Sequence, residues 1–156
     1  MTKPRKIIAA VDLSEFSPGI VRYSGWLALQ LNAELILVNV VNQRDLDMVN
    51  RTMIGYESFS FTDYVEDQEK SRTAQVKDLV EANCPEGVKC RSLLRTGVPY
   101  RELLETVKME KAQLMVVGTK GRGNLADAMV GSTARKLYRR SPIPLLTIPA
   151  AFADLP

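Results

Sequence analysis

A chain of 156 residues, 46% of them hydrophobic, is long enough to bury a core, and we expect one domain. The net charge of +3 is too small to indicate nucleic-acid or membrane binding, and no apolar run approaches the roughly 20 residues of a membrane helix. Histidine is absent, which excludes Ser-His-Asp triads and histidine metal ligands. Because no signal peptide is visible, we expect a cytoplasmic protein.

The first part of the chain contains a strand, a helix and a second strand. Ile7 to Val11 is a continuous apolar run, typical of a strand that is covered on both faces. Apolar residues then recur at helical spacing from Ile20 to Leu31, and Asn32 is a suitable C-cap. Leu35 to Val41 is the second buried strand. These elements predict a right-handed βαβ unit with parallel strands.

The next segment, Asn42 to Thr62, mixes charged, methionine and aromatic residues without steady periodicity. We predict a variable loop or insertion that reaches to about residue 65. A loop of this length inside a compact domain is usually functional or mobile. Its aromatic residues either cover a ligand or partner surface, or pack on the nearest apolar face.

The rest of the chain predicts three further helices and three further strands. In chain order these are the helix Tyr64 to Asn83, the strand Val88 to Leu94, the helix Tyr100 to Val107, the strand Gln113 to Val117, a helix from Ser132, and the strand Leu145 to Ile148. The first of these strands mixes polar and apolar residues on both faces, which is typical of an edge strand. The two cysteines, Cys84 and Cys90, match neither zinc nor redox spacing, so we expect ordinary thiols.

The last predicted helix has an apolar and a basic side. Ala134, Leu137 and Tyr138 are predicted to point inward. The basic set is Arg135, Lys136, Arg139 and Arg140. This set is either a solvated helix end or a site for phosphate or an acidic partner.

Five strands that alternate with four helices predict a doubly wound, Rossmann-like α/β domain. We expect a parallel sheet with strand order 3-2-1-4-5. Ligands of such sheets bind outside the carboxyl ends of the strands, at the point where the strand order reverses. Asp12 follows the first strand and Gly118 ends the fourth, so their loops should meet at this point.

A glycine pattern follows the fourth strand. Its members are Gly118, Gly121, Gly131 and Ser132, in the spacing G-x2-G-x9-G-S. Backbone N–H groups of glycine loops and of helix N-termini bind phosphate oxygens. A Walker loop is excluded, since no Lys-Ser/Thr follows Gly123, and a dinucleotide motif lacks its acid about 20 residues on. We therefore predict a nucleotide site here.

This glycine pattern, followed by a short helix and a Pro-flanked apolar strand, resembles the ATP-binding branch of the universal stress protein family. The Asp12-Leu13-Ser14 loop and the Gly97-Val98-Pro99 turn also resemble family segments, and Asn39 stands where many members have His. The resemblance covers nearly the whole chain, apart from residues 42 to 65. It implies ATP with Mg or Mn at the phosphates, a regulatory stress-response role and an unidentified protein partner. It also implies a homodimer through Leu145, Leu146, Thr147 and Ile148.

The loops and the resemblance together predict the nucleotide-binding residues. They are Ala10, Val11, Asp12, Val40, Val117, Gly118, Lys120, Gly121, Arg122, Gly131, Ser132 and Thr133. By resemblance, the backbone of Val40 meets the adenine edge and Asp12 faces the adenosine. No side chain is assigned to the metal.

Fast catalysis is not expected from these residues. Asp12 is the one carboxylate placed at the crevice, and a single carboxylate without a second base is poor equipment for fast ATP hydrolysis. Two alternatives stay open. One is a slow ATP hydrolase or autophosphorylating protein, and the other is a dimeric interaction protein that binds no nucleotide.

Overall fold

The computed structural model describes residues 1–120, 130–150 and 152. Five strands form one parallel sheet in the order β3-β2-β1-β4-β5. In chain order the elements are β1 (Lys6–Ala10), α1 (Ser17–Leu31), β2 (Glu34–Asn42), α2 (Gln43–Thr52), α3 (Phe61–Asn83), β3 (Cys90–Gly97), α4 (Pro99–Glu110), β4 (Leu114–Gly118), α5 (Ser132–Arg140) and β5 (Leu145–Ile148). The predicted α/β fold, its strand order and the edge position of the third strand are confirmed.

The core lies in two layers, one on each face of the sheet. Successive side chains of a strand point to opposite faces, so Ile7 packs beneath α1 and α3 while Ile8 packs beneath α4 and α5. In β2, Leu35 packs on the same face as Ile7, and Ile36 packs on the same face as Ile8. Because both faces are covered, the central strands are apolar without alternation, as their sequences predict.

The helix α2 shows that the prediction of a long loop from residue 42 to about residue 65 is wrong. Asn42 caps this helix, since its Oδ1 accepts a hydrogen bond from the backbone N–H of Arg44 at 3.0 Å. Leu46 is the one buried residue of α2, so no repeating apolar position marks the helix in the sequence. The described residues therefore contain five helices rather than the predicted four, and none of these is long and apolar enough to cross a membrane.

Two other helices differ in detail from their predictions. The helix α3 begins at Phe61, before the predicted start near Tyr64, because Ser60 caps it through an Asp63 N–H to Ser60 Oγ bond of 3.2 Å. Tyr138 of α5 does not point inward: it is 80% exposed. Ala134 and Leu137 are the buried residues of this short helix, and Tyr138 lies beyond the edge of the stripe that they define.

The two cysteines are free thiols, in agreement with the sequence. Cys84 caps α3 and Cys90 begins β3, and both pack partly buried against the core beneath α1. Burial raises the pKa of the Cys90 thiol to about 12. At neutral pH this group is therefore a protonated, unreactive thiol.

Gly25 sets how closely α1 approaches the turn that follows α3. A Cβ at Gly25 would lie 2.4 Å from Cδ of Pro85, whereas a Cβ at Gly19 of the same helix would meet nothing within 4 Å. We expect Gly25→Ala to lower the free energy of unfolding by about 1–3 kcal/mol through overpacking. Gly19→Ala is the control and should be neutral or stabilising by up to about 1 kcal/mol. Urea unfolding followed by circular dichroism measures both, and equal effects would contradict the packing argument.

Candidate functional site

A cavity of ≈ 300 Å³ opens at the carboxyl ends of β1, β2 and β4. This is where the strand order reverses, between β1 and β4. All the predicted site residues that the structure describes line the cavity: Ala10, Val11, Asp12, Val40, Val117, Gly118, Lys120, Gly131, Ser132 and Thr133. Gly121 and Arg122, also predicted, lie outside the described residues.

Sequence reasoning missed the other residues of the cavity wall. They are Ile20, Val38, Asn42, Asp45, Pro99, Leu103, Thr119, Ala134 and Arg72. Several of them follow strand ends or face the sheet, and the fold prediction could have supplied these. Asp45 lies on α2, where the sequence predicts a loop. Arg72 lies on the heavily charged helix α3, and the sequence does not distinguish it from the other charged residues there.

The Asp12 loop is held by its own side chains. Oδ1 of Asp12 accepts hydrogen bonds from the Ser14 backbone N–H at 2.9 Å and from Oγ of Ser17 at 3.2 Å. Leu13 between them has a positive φ of 62°. This turn leads into α1 and fixes the Asp12 carboxylate at the cavity wall.

Asn39 ties the end of β1 to β2. It is 1% exposed, and its Nδ2 donates to the carbonyl oxygen of Val11 at 2.7 Å. Its Oδ1 accepts a hydrogen bond of 3.3 Å from Nη1 of Arg72, which reaches the cavity from α3. The amide therefore satisfies a carbonyl at the strand end and positions a guanidinium at the cavity wall. A side chain of both donor and acceptor character is needed for these two bonds.

The two ends of the glycine loop meet beside the cavity. The Gly131 N–H donates to the carbonyl of Thr119 at 2.7 Å, and the Thr119 N–H donates to the carbonyl of Ile148 at 3.0 Å. A Cβ at Gly118 would lie 3.0 Å from Cδ1 of Ile20 and 3.1 Å from the Lys120 carbonyl oxygen, so the turn leaves little room for a side chain.

Gly131 is also the N-cap of α5. It has no side chain with which to cap the helix, and the structure shows no side-chain cap there. The first-turn N–H groups of a helix have no partner within the helix, and they attract anions. Ser132, Thr133 and Lys120 line the cavity at this end. The β4 side of the cavity thus combines backbone donors, hydroxyls and a cation.

The opposite side of the cavity, at the end of β2, has a different character. Asn42, Asp45 and Arg72 line the cavity there, and the apolar residues Val38 and Val40 of the same strand also belong to its wall. An elongated ligand matches this division if its anionic end meets the donors beside β4 and a flat, less polar part lies against Val38 and Val40.

A family model described as the universal stress protein family matches residues 3–149. The chain belongs to the universal stress protein family. Its expected membership is confirmed over nearly the whole sequence.

Three relatives illustrate how far the likeness extends. Universal stress protein YxiE of Bacillus subtilis is 26% identical over 144 residues, covering 92% of this chain and 97% of YxiE. The solved structure of the hypothetical protein MJ0577 superimposes with a TM-score of 0.80 at 17% identity, covering 97% of this chain and 100% of that one. A universal stress protein from Archaeoglobus fulgidus, solved in complex with dAMP, has a TM-score of 0.59 at 16% identity and covers 95% and 99% of the two chains. The structural likenesses show the shared fold.

The Asn39 bond to Val11 provides a test of the site's framework. Asn39→Ala would leave the buried Val11 carbonyl without its side-chain donor, and we expect a loss of about 1–3 kcal/mol in the free energy of unfolding. Gln75→Ala removes an amide that forms one exposed hydrogen bond, to Ser71, and should change stability by less than about 0.5 kcal/mol. Urea titrations of both variants measure the difference. Equal stabilities would show that the Asn39 amide does not hold the strand end.

Proposed function

We propose that this universal stress protein binds ATP in the cavity at the ends of β1, β2 and β4, and acts as a nucleotide-dependent regulatory module of a stress response. One observation carries the proposal: the Asp12 loop, the Gly118 turn and the uncapped start of α5 line a single cavity. The Archaeoglobus fulgidus relative in complex with dAMP supports an adenine nucleotide as the ligand class.

The division of the cavity suggests how ATP lies in it. The phosphates take the β4 side, where the backbone N–H groups at Ser132 and Thr133 and the cation of Lys120 meet anionic oxygens. The adenine takes the apolar part of the wall that β2 provides, beside Val38 and the backbone of Val40. This arrangement follows from charge, since triphosphate oxygens favour donors and cations while the base favours an apolar wall.

The residues fit a magnesium or manganese ion that arrives with the phosphates. Such ions bind through one or two carboxylates together with phosphate oxygens and water, and need no larger cluster of protein ligands. Asp12 and Asp45 place two carboxylates at the cavity wall. A bound ion would supply neutralisation of phosphate charge. No group of three His, Cys, Asp or Glu that could hold a metal is present in residues 1–120, 130–150 and 152.

We propose regulation rather than rapid turnover as the role of this site. Oδ1 of Asp12 is engaged by the Ser14 N–H and the Ser17 hydroxyl, so half of this carboxylate maintains the loop. A general base must reach the proton that it removes, and a carboxylate fixed by two donors is suited to positioning. Binding of the nucleotide is then the signal, read by a protein partner.

Gly131→Val tests the phosphate end of the cavity. A Cβ at Gly131 would already lie 3.4 Å from the Thr119 carbonyl oxygen, and the branched side chain would extend into the space around it. The backbone of Gly131, with φ −55° and ψ 154°, suits an L-residue, so the variant should fold. We expect ATP to bind at least about tenfold more weakly, equal to about 1.4 kcal/mol, in titration calorimetry.

Two further comparisons make this test specific. Lys120→Ala should weaken ATP more than adenosine, whereas Lys70→Ala, on the exposed surface of α3, should leave both ligands unchanged. Ser132→Ala should have an intermediate effect, worth one hydrogen bond of about 0.5–1.5 kcal/mol. A folded Gly131→Val that binds ATP as tightly as the parent would rule out this end as the phosphate site. A parent protein that binds neither ligand would end the nucleotide proposal altogether.

We also propose that the protein is a homodimer joined through β5. This strand is at the edge of the sheet. On its inner side, the carbonyl of Pro144 accepts from Met115 N–H and the carbonyl of Ile148 accepts from Thr119 N–H, both at 3.0 Å. Since strand residues alternate in direction, the backbone groups of Leu145 and Thr147 face the outer edge. A second copy of β5 would satisfy them.

Thr147→Pro tests the dimer without removing a β4–β5 hydrogen bond. Proline lacks an N–H, and the N–H of residue 147 is directed to the outer edge. We expect the parent and Thr147→Ala to have twice the chain mass by light scattering at tens of micromolar, and Thr147→Pro to have the mass of one chain. A parent that is monomeric under these conditions, or a proline variant that remains dimeric, would rule out pairing through β5.

A further inference from the structure

Three cations converge on one tyrosine between α4 and α5. Nε of Arg101 donates a hydrogen bond to the Tyr100 hydroxyl oxygen at 3.0 Å. Nζ of Lys136 lies 5.0 Å from the centre of the Tyr100 ring, and Cζ of Arg140 lies 4.9 Å from it. Tyr100 as a residue is only 9% exposed, while the three charged residues are at the surface. The ring thus serves as a buried platform that gathers cations from two helices.

Among the residues that the structure describes, no acidic side chain pairs with these three cations: no carboxylate lies within ion-pair distance of Arg101, Lys136 or Arg140. Two of these cations contact the same ring, so they are at most about 10 Å apart, which is one Debye length at 0.1 M salt. The face of the ring attracts a cation but carries no net charge to cancel it. Repulsion among the three therefore remains, and an anion would relieve it.

The pKa of the Tyr100 phenol responds to the same positive charges. The hydrogen bond from Arg101, together with Arg140, lowers the pKa of the Tyr100 phenol. A positive environment that stabilises a phenolate would stabilise any carboxylate placed against it.

The positive surface continues along α5. Its sequence contains no acidic residue, and Arg135 and Arg139 are exposed beside Lys136 and Arg140. Tyr138 of the same helix has 80% of its surface exposed. We use the name α5 basic face for Arg101, Arg135, Lys136, Arg139 and Arg140 with their two tyrosines. Along the helix axis its α5 cations span about 7.5 Å.

We propose that the α5 basic face is a docking surface for an acidic segment of a partner protein. Arginine and tyrosine are the residues enriched at the centres of protein interfaces, and this face is built almost entirely from them. The planar guanidinium groups match carboxylates through paired hydrogen bonds. A few glutamates or aspartates on an extended segment, with about 3.3 Å between successive residues, would reach all the α5 cations.

Charge and shape favour this occupant over the other polyanions. Proteins that bind DNA through the phosphate backbone typically neutralise about 6–10 phosphates along a continuous track, which is longer than this face. A small free anion would meet exposed side chains rather than an enclosure, because Lys136, Arg139 and Arg140 are all at the surface. The proposal is independent of nucleotide binding, although α5 begins at the cavity and ends in the basic face.

A fluorescein-labelled dodecamer of glutamate provides the probe, with a dodecamer of glutamine as the uncharged comparison. We expect the glutamate peptide to bind the parent protein in fluorescence anisotropy, and the glutamine peptide not to bind. The variant Lys136→Glu/Arg140→Glu should weaken binding at least about tenfold, or about 1.4 kcal/mol. Lys3→Glu/Lys70→Glu changes the net charge by the same amount at exposed sites elsewhere, and should stay within about twofold of the parent.

The outcomes separate the alternatives. If both double variants weaken binding equally, net charge rather than this face attracts the peptide, and the proposal is wrong. If a DNA dodecamer binds more tightly than the glutamate peptide and is lost in the same variant, the face binds nucleic acid and the proposed partner class is wrong. Circular dichroism checks folding. If charge reversal unfolds the protein, Lys136→Gln/Arg140→Gln replaces it, and a loss of less than about threefold there would also overturn the proposal.

Discussion

The parallel pairing of β1 with β4 is the constraint on which the site depends. Ile7, Ile8 and Ala9 stand in register with Leu114, Met115 and Val116, so both strands end at the same height. The helices that follow them then leave on opposite faces of the sheet and open a crevice between their starts. If β1 and β4 were not paired, the Asp12 loop and the glycine loop would be distant from each other in space as well as in sequence.

Two hydrogen bonds turn this crevice into a defined cavity. On one side the buried amide of Asn39 holds the Val11 carbonyl, and on the other the Gly131 N–H holds the Thr119 carbonyl. Each joins a strand end to a neighbouring element instead of leaving the loop to solvent. By the family resemblance, Asn39 occupies a position where many universal stress proteins have histidine. Its amide meets both the strand-end carbonyl and the Arg72 guanidinium, and unlike an imidazole it does not itself titrate near neutral pH.

The sequence predicted most of the fold because the central strands are uniformly apolar and the turns carry glycine and proline at their ends. The meeting of the Asp12 and glycine loops follows from the predicted strand order, and the individual site residues were predicted from these loops together with the family resemblance. The features that the sequence did not predict have a common physical origin. The helix α2 buries a single side chain, Leu46, and α5 buries only Ala134 and Leu137, so periodicity says little about either. Arg72 reaches the cavity from a helix whose sequence is charged on most sides, and only tertiary packing selects this one charge for the interior.

The contact between Gly25 and Pro85 has a consequence for how this sequence is free to vary. The missing side chain on α1 and the proline ring after α3 occupy one shared volume, so neither position changes independently of the other. A relative with alanine or serine in place of Gly25 would need a smaller residue at the proline, or a wider separation of the two helices. The pair should therefore covary across the family, which would appear in an alignment as a coupling between a helix interior and a turn far away in sequence.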